Sequence, residues 1–205
     1  MHKKLFSFLN RFDCIYKYQF GFRNKHSTTH TLIEITENIR KALDNGAYAC
    51  GIFVDLQKAF DTVDHEILFY KLNYYGIRGI TLDWFKSYLS NRMQMVYING
   101  VYSNINPISF GVPQGSILGP LLFLIYVNDL NCCIRYSNTY HFADDTNLQL
   151  ISNSLNKLNR YMNHDLSNLV QWLRANKISL NAKKTVLILF KTPKTKFCKQ
   201  NNKSN

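Results

Sequence analysis

One stretch of nine residues, Tyr48–Leu56 (YACGIFVDL), constrains the fold more than any other part of the chain. It is short, apolar and rich in β-branched and aromatic side chains, with no polar residue until its end. A strand with one wet face would alternate, so this run reads as a strand buried on both faces. The chain must therefore cover a sheet from two sides. The same run closes on a carboxylate, Asp55, at the point where a strand leaves its sheet.

The flanking patterns supply the cover. Leu5 to Leu9 suggests a short helix, and Tyr16 to Arg23 (YKYQFGFR) reads as strand or loop. Ser27 and Thr28 cap a helix with Leu32, Ile35, Ile39 and Leu43 on its apolar face, ended by Asn45-Gly46. Asp64 caps a helix through Tyr75, with Asp61 assigned to the same start. Thr81 begins another helix, and Trp84 and Trp172 are expected in the core. Met93–Ile98 and Val101–Phe110 around Asn99-Gly100 form a hairpin. Ile117 to Leu130 is helical, either bent at Pro120 or starting nearer Gly119. Thr139–Phe142 and Thr146–Ile151 are short strands around Ala143-Asp144-Asp145. A long amphipathic helix (Leu155–Asn176) and a last strand (Thr185–Phe190) follow. The mixture points to an α+β fold on an antiparallel sheet. Beyond Lys191 the Lys/Asn/Thr/Ser mixture has no apolar period and is expected to be disordered.

Charge is less decisive than it looks. The formal net charge is +12, but seven lysines lie in residues 183–205, where there is no acid, which leaves residues 1–182 at about +5. This fits either a polyanion partner or a solvated basic tail. Five cysteines without C-x-x-C spacing argue against a disulfide framework, and Cys132-Cys133 is read as structural. The first ten residues are too short for a signal peptide. The longest apolar run, Ile117–Val127, falls well below the ~18 residues of a membrane span. An intracellular protein of cytoplasm and nucleus, away from membranes, is expected.

Chemistry concentrates in few residues. With only 13 acids in the chain, Asp55 ends an apolar strand and Asp144-Asp145 lies between two more. Carboxylates meeting at ~4 Å would repel by ~4 kcal/mol per pair at an effective dielectric near 20. Such a group persists only if protonated or if it holds cations, and all-oxygen ligands favour Mg²⁺ or Mn²⁺. Either motif alone also reads as a turn residue or a helix-entry cap. His26 and His30, four apart, could share a metal but have no third ligand nearby in sequence.

Together these residues resemble a known family. FVDLQKAFD (Phe53–Asp61), GVPQGSILGP (Gly111–Pro120) and FADD (Phe142–Asp145) are similar, in order and spacing, to motifs A, B and C of the reverse transcriptases of non-LTR retrotransposons, LINE and jockey-like. Gln19–Arg23 with Ser27-Thr28 resembles a fingers motif, and Leu180–Thr185 resembles motif D.

The resemblance implies a reverse transcriptase palm with part of the fingers and no thumb: partial fingers over 1–47, palm over 48–190, and a basic tail over 191–205. It implies an RNA-directed DNA polymerase working on an RNA template, a DNA primer and deoxynucleoside triphosphates. Asp55, Asp144 and Asp145, with the Leu56 carbonyl, would hold two Mg²⁺ ions, or Mn²⁺ in their place. Phe60 would lie under the incoming sugar, and Gln114 with Gly115 against the nucleotide or template base. Arg23 would grip the triphosphate, and Lys184 would protonate the pyrophosphate, with adjacent Lys183 as its rival. The chain then reads either as a piece of a longer element protein or as a degraded copy. A binding module without turnover and, more remotely, a small metal-dependent phosphatase are the competing classes.

Overall fold

The apolar run becomes an inner strand. The computed structural model describes residues 1–23 and 26–193. In chain order these form α1 (His2–Arg11), α2 (Thr28–Asp44), β1 (Tyr48–Val54), β2 (Leu56–Gln57), α3 (His65–Tyr74), α4 (Ile80–Leu89), β3 (Arg92–Gln94), β4 (Tyr97–Ile98), β5 (Val101–Tyr102), β6 (Asn106–Ile108), α5 (Gly119–Val127), β7 (Asn138–Phe142), β8 (Asp145–Ser152), α6 (Leu155–Ala175), β9 (Ser179–Leu180) and β10 (Val186–Phe190). The main sheet has the order β10-β1-β8-β7, with every neighbouring pair antiparallel. β1 is buried except at Phe53, as an inner strand with two covered faces must be.

Cys50, Ile52, Val54, Leu148 and Leu150 join the main core with residues of α3, α5 and α6. Every residue of α5 except Pro120 is buried, which explains why its sequence is apolar all round. The helix starts at Gly119 with Pro120 in its first turn, where a missing N–H costs nothing. On α6, Leu158, Met162, Asp165, Leu169 and Leu173 form the buried stripe. Asp165 is fully buried because its carboxylate accepts the N–H groups of Arg135, Tyr136 and Ser137 at 2.7–3.1 Å. The opposite side of the sheet is covered by α2: Ala42 packs with Ala47 and Ala49, and the Gln149 amide donates to the Ile35 carbonyl at 3.0 Å.

Caps form where the sequence places them. Ser27 and Asp64 each accept an N–H three residues on, and Ser154, which the sequence did not single out, does the same for α6. Other expectations change. The buried stripe of α2 runs through Thr31, Ile35 and Ala42, while Leu32 is 59% exposed, because the sheet meets the helix one position away from the leucine row. Trp84 lies outside the core, 39% exposed and stacked on Tyr88. Trp172, by contrast, does pack against the main core, half-buried, with the Lys71 ammonium 5.0 Å from its ring. Asp61 caps nothing and has a different partner, described below. Cys132 is exposed, and Cys133 donates its thiol to the Leu130 carbonyl. Tyr16–Arg23 is a loop with one parallel bridge, Gln19 to His141.

β3 and β6, then β4 and β5, pair as an antiparallel ribbon that exposes Tyr97, Ile98, Val101 and Tyr102. β10, the outer strand of the main sheet, is mostly exposed from Val186 to Leu189. Among the described residues no helix is long and apolar enough to cross a membrane. The expectation of a disordered tail falls mainly on residues 194–205, outside the described residues.

Candidate active site

Asp55 sits where β1 leaves the main sheet, before β2 pairs with β9 through Leu56↔Leu180 and Gln57↔Ser179. Its backbone is held from both sides. The Asp55 N–H donates to Thr185 Oγ1 at 3.3 Å, and its carbonyl accepts the Asn181 N–H at 2.9 Å. Thr185 Oγ1 in turn donates to the Asn181 carbonyl. The segment expected to supply a lysine therefore contacts Asp55 through Asn181 and Thr185, while Lys183 and Lys184 are exposed.

The other two carboxylates lie at a hairpin. Phe142↔Asp145 is the last pair of β7 and β8, which leaves Ala143-Asp144 as a two-residue turn and Asp145 as the first residue of β8. The β1–β8 register ends at Val54↔Thr146, so one step further brings Asp55 abreast of Asp145. Facing residues on antiparallel strands have Cβ atoms roughly 4.5–5.5 Å apart. The electrostatics agree: burial pushes the Asp145 carboxyl above its ordinary range, and the charges of Asp144 and Asp55 push it the same way. Asp145 feels the charge of both other carboxylates, and all three are hard oxygen donors of the kind a hard divalent cation prefers. Among the described residues no three acidic, imidazole or thiol side chains are drawn tightly enough to grip one ion as they stand.

An outer segment braces this turn. The Phe20 N–H donates to the His141 carbonyl at 2.8 Å and the His141 N–H to the Tyr18 carbonyl at 2.9 Å. Gln19, 3% exposed, accepts through Oε1 from the N–H groups of Gly21 at 2.9 Å and Ala143 at 3.2 Å. A Cβ on Gly21 would lie 2.1 Å from the Ala143 nitrogen. Sequence reasoning grouped Gln19 and Gly21 with a fingers motif and missed this contact; a glutamine two residues before a glycine was its only trace in the sequence. Arg23 Nη1 donates to the carbonyls of Tyr16 and Gln19.

The glycine-rich loop is fastened to the stretch after Asp55. Gly111 N–H donates to the Val63 carbonyl and Val112 N–H to the Phe60 carbonyl, at 2.8 and 2.9 Å. The Phe60 ring stacks on Phe123 with centroids 4.4 Å apart and meets the edge of Phe22 at 6.3 Å. Gln114 is exposed and donates its amide to Asp61 Oδ1 at 2.7 Å, which is where the Asp61 carboxylate goes instead of a helix start. Gly111 has φ +85°, and a Cβ there would lie 2.9 Å from Asp61 Cα; Gly115 has φ +78° in open space.

Two clefts flank the acidic turn, and Phe142 lines both. One, about 480 Å³, also holds Phe22, Arg23, Ile117 and Pro120. The other, about 360 Å³, holds Thr31, Phe53, Asp145 and Asn147. A larger concavity, about 630 Å³, lies around Tyr16, Lys71, Tyr75 and Asp129 and includes none of the three carboxylates.

The sequence profile of the family described as reverse transcriptase (RNA-dependent DNA polymerase) matches residues 1–202. The chain is 36% identical over 186 residues to a probable RNA-directed DNA polymerase from transposon BS of Drosophila melanogaster, covering 82% of this chain and 19% of that protein. It is 33% identical over 181 residues to the RNA-directed DNA polymerase from mobile element jockey of the same species, covering 85% of this chain and 20% of that protein. It thus spans about a fifth of the length of these curated relatives. Among solved structures, a telomerase from Candida albicans in complex with a TWJ fragment of telomeric RNA superposes with a TM-score of 0.66 at 14% identity, over 89% of this chain and 33% of that one. A truncated apo telomerase from Candida tropicalis gives 0.60 at 15% identity, over 94% of this chain and 40% of that one. These likenesses concern the fold.

Proposed function

The chain belongs to the reverse transcriptase family, and on that premise we propose that it is the polymerase core of a non-LTR retrotransposon protein, with residues 48–190 as palm and 1–47 as part of the fingers. The reaction is RNA-directed DNA synthesis: a primer 3′-oxygen bonds to the α-phosphorus of a deoxynucleoside triphosphate as the bond to pyrophosphate breaks. The observation that carries this reading is the β1–β8 register, which runs to Val54↔Thr146 and so leads Asp55 toward Asp145, beside the turn bearing Asp144.

Asp55, Asp144 and Asp145, with the Leu56 carbonyl, are the residues that would hold two divalent cations, Mg²⁺ with Mn²⁺ as substitute. Bound there, such ions supply Lewis-acid activation of the attacking hydroxyl and charge neutralisation at the leaving group. The fit rests on the all-oxygen donor set and on the mutual repulsion felt at Asp145.

Other residues act directly on the substrate. Arg23 binds the triphosphate, exchanging main-chain carbonyls for phosphate oxygens that match a guanidinium in pairs. Phe60 excludes a ribose 2′-hydroxyl, and because its ring is backed by Phe123 it cannot retreat. Gln114, steadied by Asp61, faces the nucleotide or the template base, and the open conformation at Gly115 lets it approach. Lys184 delivers the proton to pyrophosphate.

The test is primer extension on an RNA template with Mg²⁺ or Mn²⁺. It compares the chain, the Asp144→Ala/Asp145→Ala double mutant, and the chain fused to a compatible thumb domain. Weak or absent extension by the isolated chain, gained on fusion and lost again in the double mutant, is expected. A folded fusion that holds template and incorporates nothing would return the chain to a binding role without turnover.

A further inference from the structure

We infer that Gln19 is a positioning residue for the metal-binding turn: its side-chain oxygen locks Ala143 in the conformation that aims Asp144 and Asp145. This deepens the polymerase reading above and rests on it. In a two-residue hairpin turn, a positive φ at the first central position calls for glycine. Here that position is Ala143, at φ +58°, and Asp144 is not among the positive-φ residues. The turn is locally unfavourable, so its shape must be imposed from outside.

The 18–21 segment imposes it. Two main-chain bonds to His141 lay the segment along β7. Gly21 then comes so near the Ala143 nitrogen that no side chain fits between them. The Ala143 N–H has Gln19 Oε1 as its partner, and the same oxygen accepts the Gly21 N–H. Both amides are buried with it, so loss of that oxygen strands two donors and frees the turn to relax toward an ordinary backbone. The loop before α2 is thereby coupled to the geometry of carboxylates more than a hundred residues later. Gln19 need not touch substrate to do this.

The test uses Gln19→Met, which keeps the length and removes the acceptor, alone and combined with Ala143→Gly. Three measurements are made on the intact chain: Mn²⁺ binding by electron paramagnetic resonance, amide hydrogen exchange at Ala143, and thermal melting. Asp144→Ala/Asp145→Ala serves as the metal control. Gln19→Met should stay folded, exchange faster at Ala143, and need about tenfold or more Mn²⁺ for half-saturation, the scale usual for loss of an outer-shell partner. Adding Ala143→Gly, which accepts the positive φ without help, should bring Mn²⁺ binding back toward wild type. A stabilising role elsewhere in the fold would not be rescued this way. Unchanged Ala143 exchange and unchanged Mn²⁺ binding in folded Gln19→Met overturn the inference. So does unfolding that Ala143→Gly fails to repair, which would make Gln19 a structural residue. Wild-type Mn²⁺ binding that is indifferent to the Asp144→Ala/Asp145→Ala change refutes the polymerase reading instead, while exchange at Ala143 still judges the brace.

Discussion

His141 should make this fold acid-labile in a way that one substitution removes. The imidazole is 3% exposed, with Nδ1 2.9 Å from Thr146 Oγ1, and burial pulls its pKa from the ordinary 6.5 down to about 4. In the unfolded chain the ring takes up a proton near pH 6.5, whereas in the folded chain it stays neutral until about pH 4. Between these values the unfolded state binds more protons, so the stability is fully present above pH 6.5 and is lost as pH falls toward 4. A gap of about 2.5 units at ~1.4 kcal/mol each makes the loss about 3 kcal/mol between pH 7.5 and 4. The assay is urea unfolding across that range, comparing wild type with His141→Asn, whose amide can take the place of Nδ1. The substitution leaves a cavity that lowers the whole curve by a constant, but the acid-induced decline should be shallower by about 3 kcal/mol. Asp64 also loses stabilisation on acidification: burial alone would raise its pKa, but Lys177 and the Ile67 N–H hold it low. That contribution is common to both proteins and cancels in the difference. If the two curves fall in parallel, the buried neutral imidazole is not the source and the argument fails.

Gly111→Ala should cost about 3 kcal/mol or more by urea unfolding, because strain at φ +85° adds to a clash with the Asp61 backbone; Gly115→Ala, strained but unobstructed, should cost about 1. Equal costs would show that the clash is absorbed. Phe60→Val should raise incorporation of ribonucleotides relative to deoxyribonucleotides by about tenfold or more, at a stability cost of about 2 kcal/mol from the lost stack on Phe123. An unchanged ratio in an active fusion would make Phe60 a core residue only. Lys71, 6% exposed, bonds Asp129 at 2.6 Å, whose side chain is 40% exposed. Asp129→Asn leaves the buried ammonium without a counter-charge, held by the Tyr126 carbonyl and the Tyr126 and Trp172 rings, and should cost about 3 kcal/mol, whereas Lys71→Met leaves a carboxylate that can reach water and should cost about 1; thermal melts of the two in the reverse order would refute this.

The elements that sequence reasoning placed well are those whose cause is local or whose pattern is extreme. The short apolar, β-branched run reads as an inner strand, and Ser27 and Asp64 each cap the turn that follows within three residues. The misses share the opposite property. Leu32 and Thr31 compete for the same stripe of α2, and only the position of the sheet decides between them. Asp61 looks like a cap until Gln114, 53 residues away, presents its amide. Within the candidate site, motif order pointed to Asp55, Asp144 and Asp145, and the strand register leads the first toward the hairpin that carries the other two. The brace from Gln19 was illegible because its partner is 124 residues distant and its motif had a ready explanation elsewhere.

β10 carries a consequence for anyone who handles this chain in solution. Val186, Leu187, Ile188 and Leu189 lie on the outermost strand of a four-stranded sheet, exposed on both faces. Such an edge is a template for another strand, and five apolar residues in a row with no proline is the composition that nucleates intermolecular pairing. Lys183 and Lys184 precede the strand and Lys191 follows it. In an antiparallel pairing between two copies, those lysines are brought toward one another at both ends, so like charge acts as a gatekeeper. Salt that screens this repulsion should therefore promote self-association, the reverse of what it should do to the nucleic-acid binding proposed above, and the two expected responses to ionic strength bracket the conditions for a monodisperse chain.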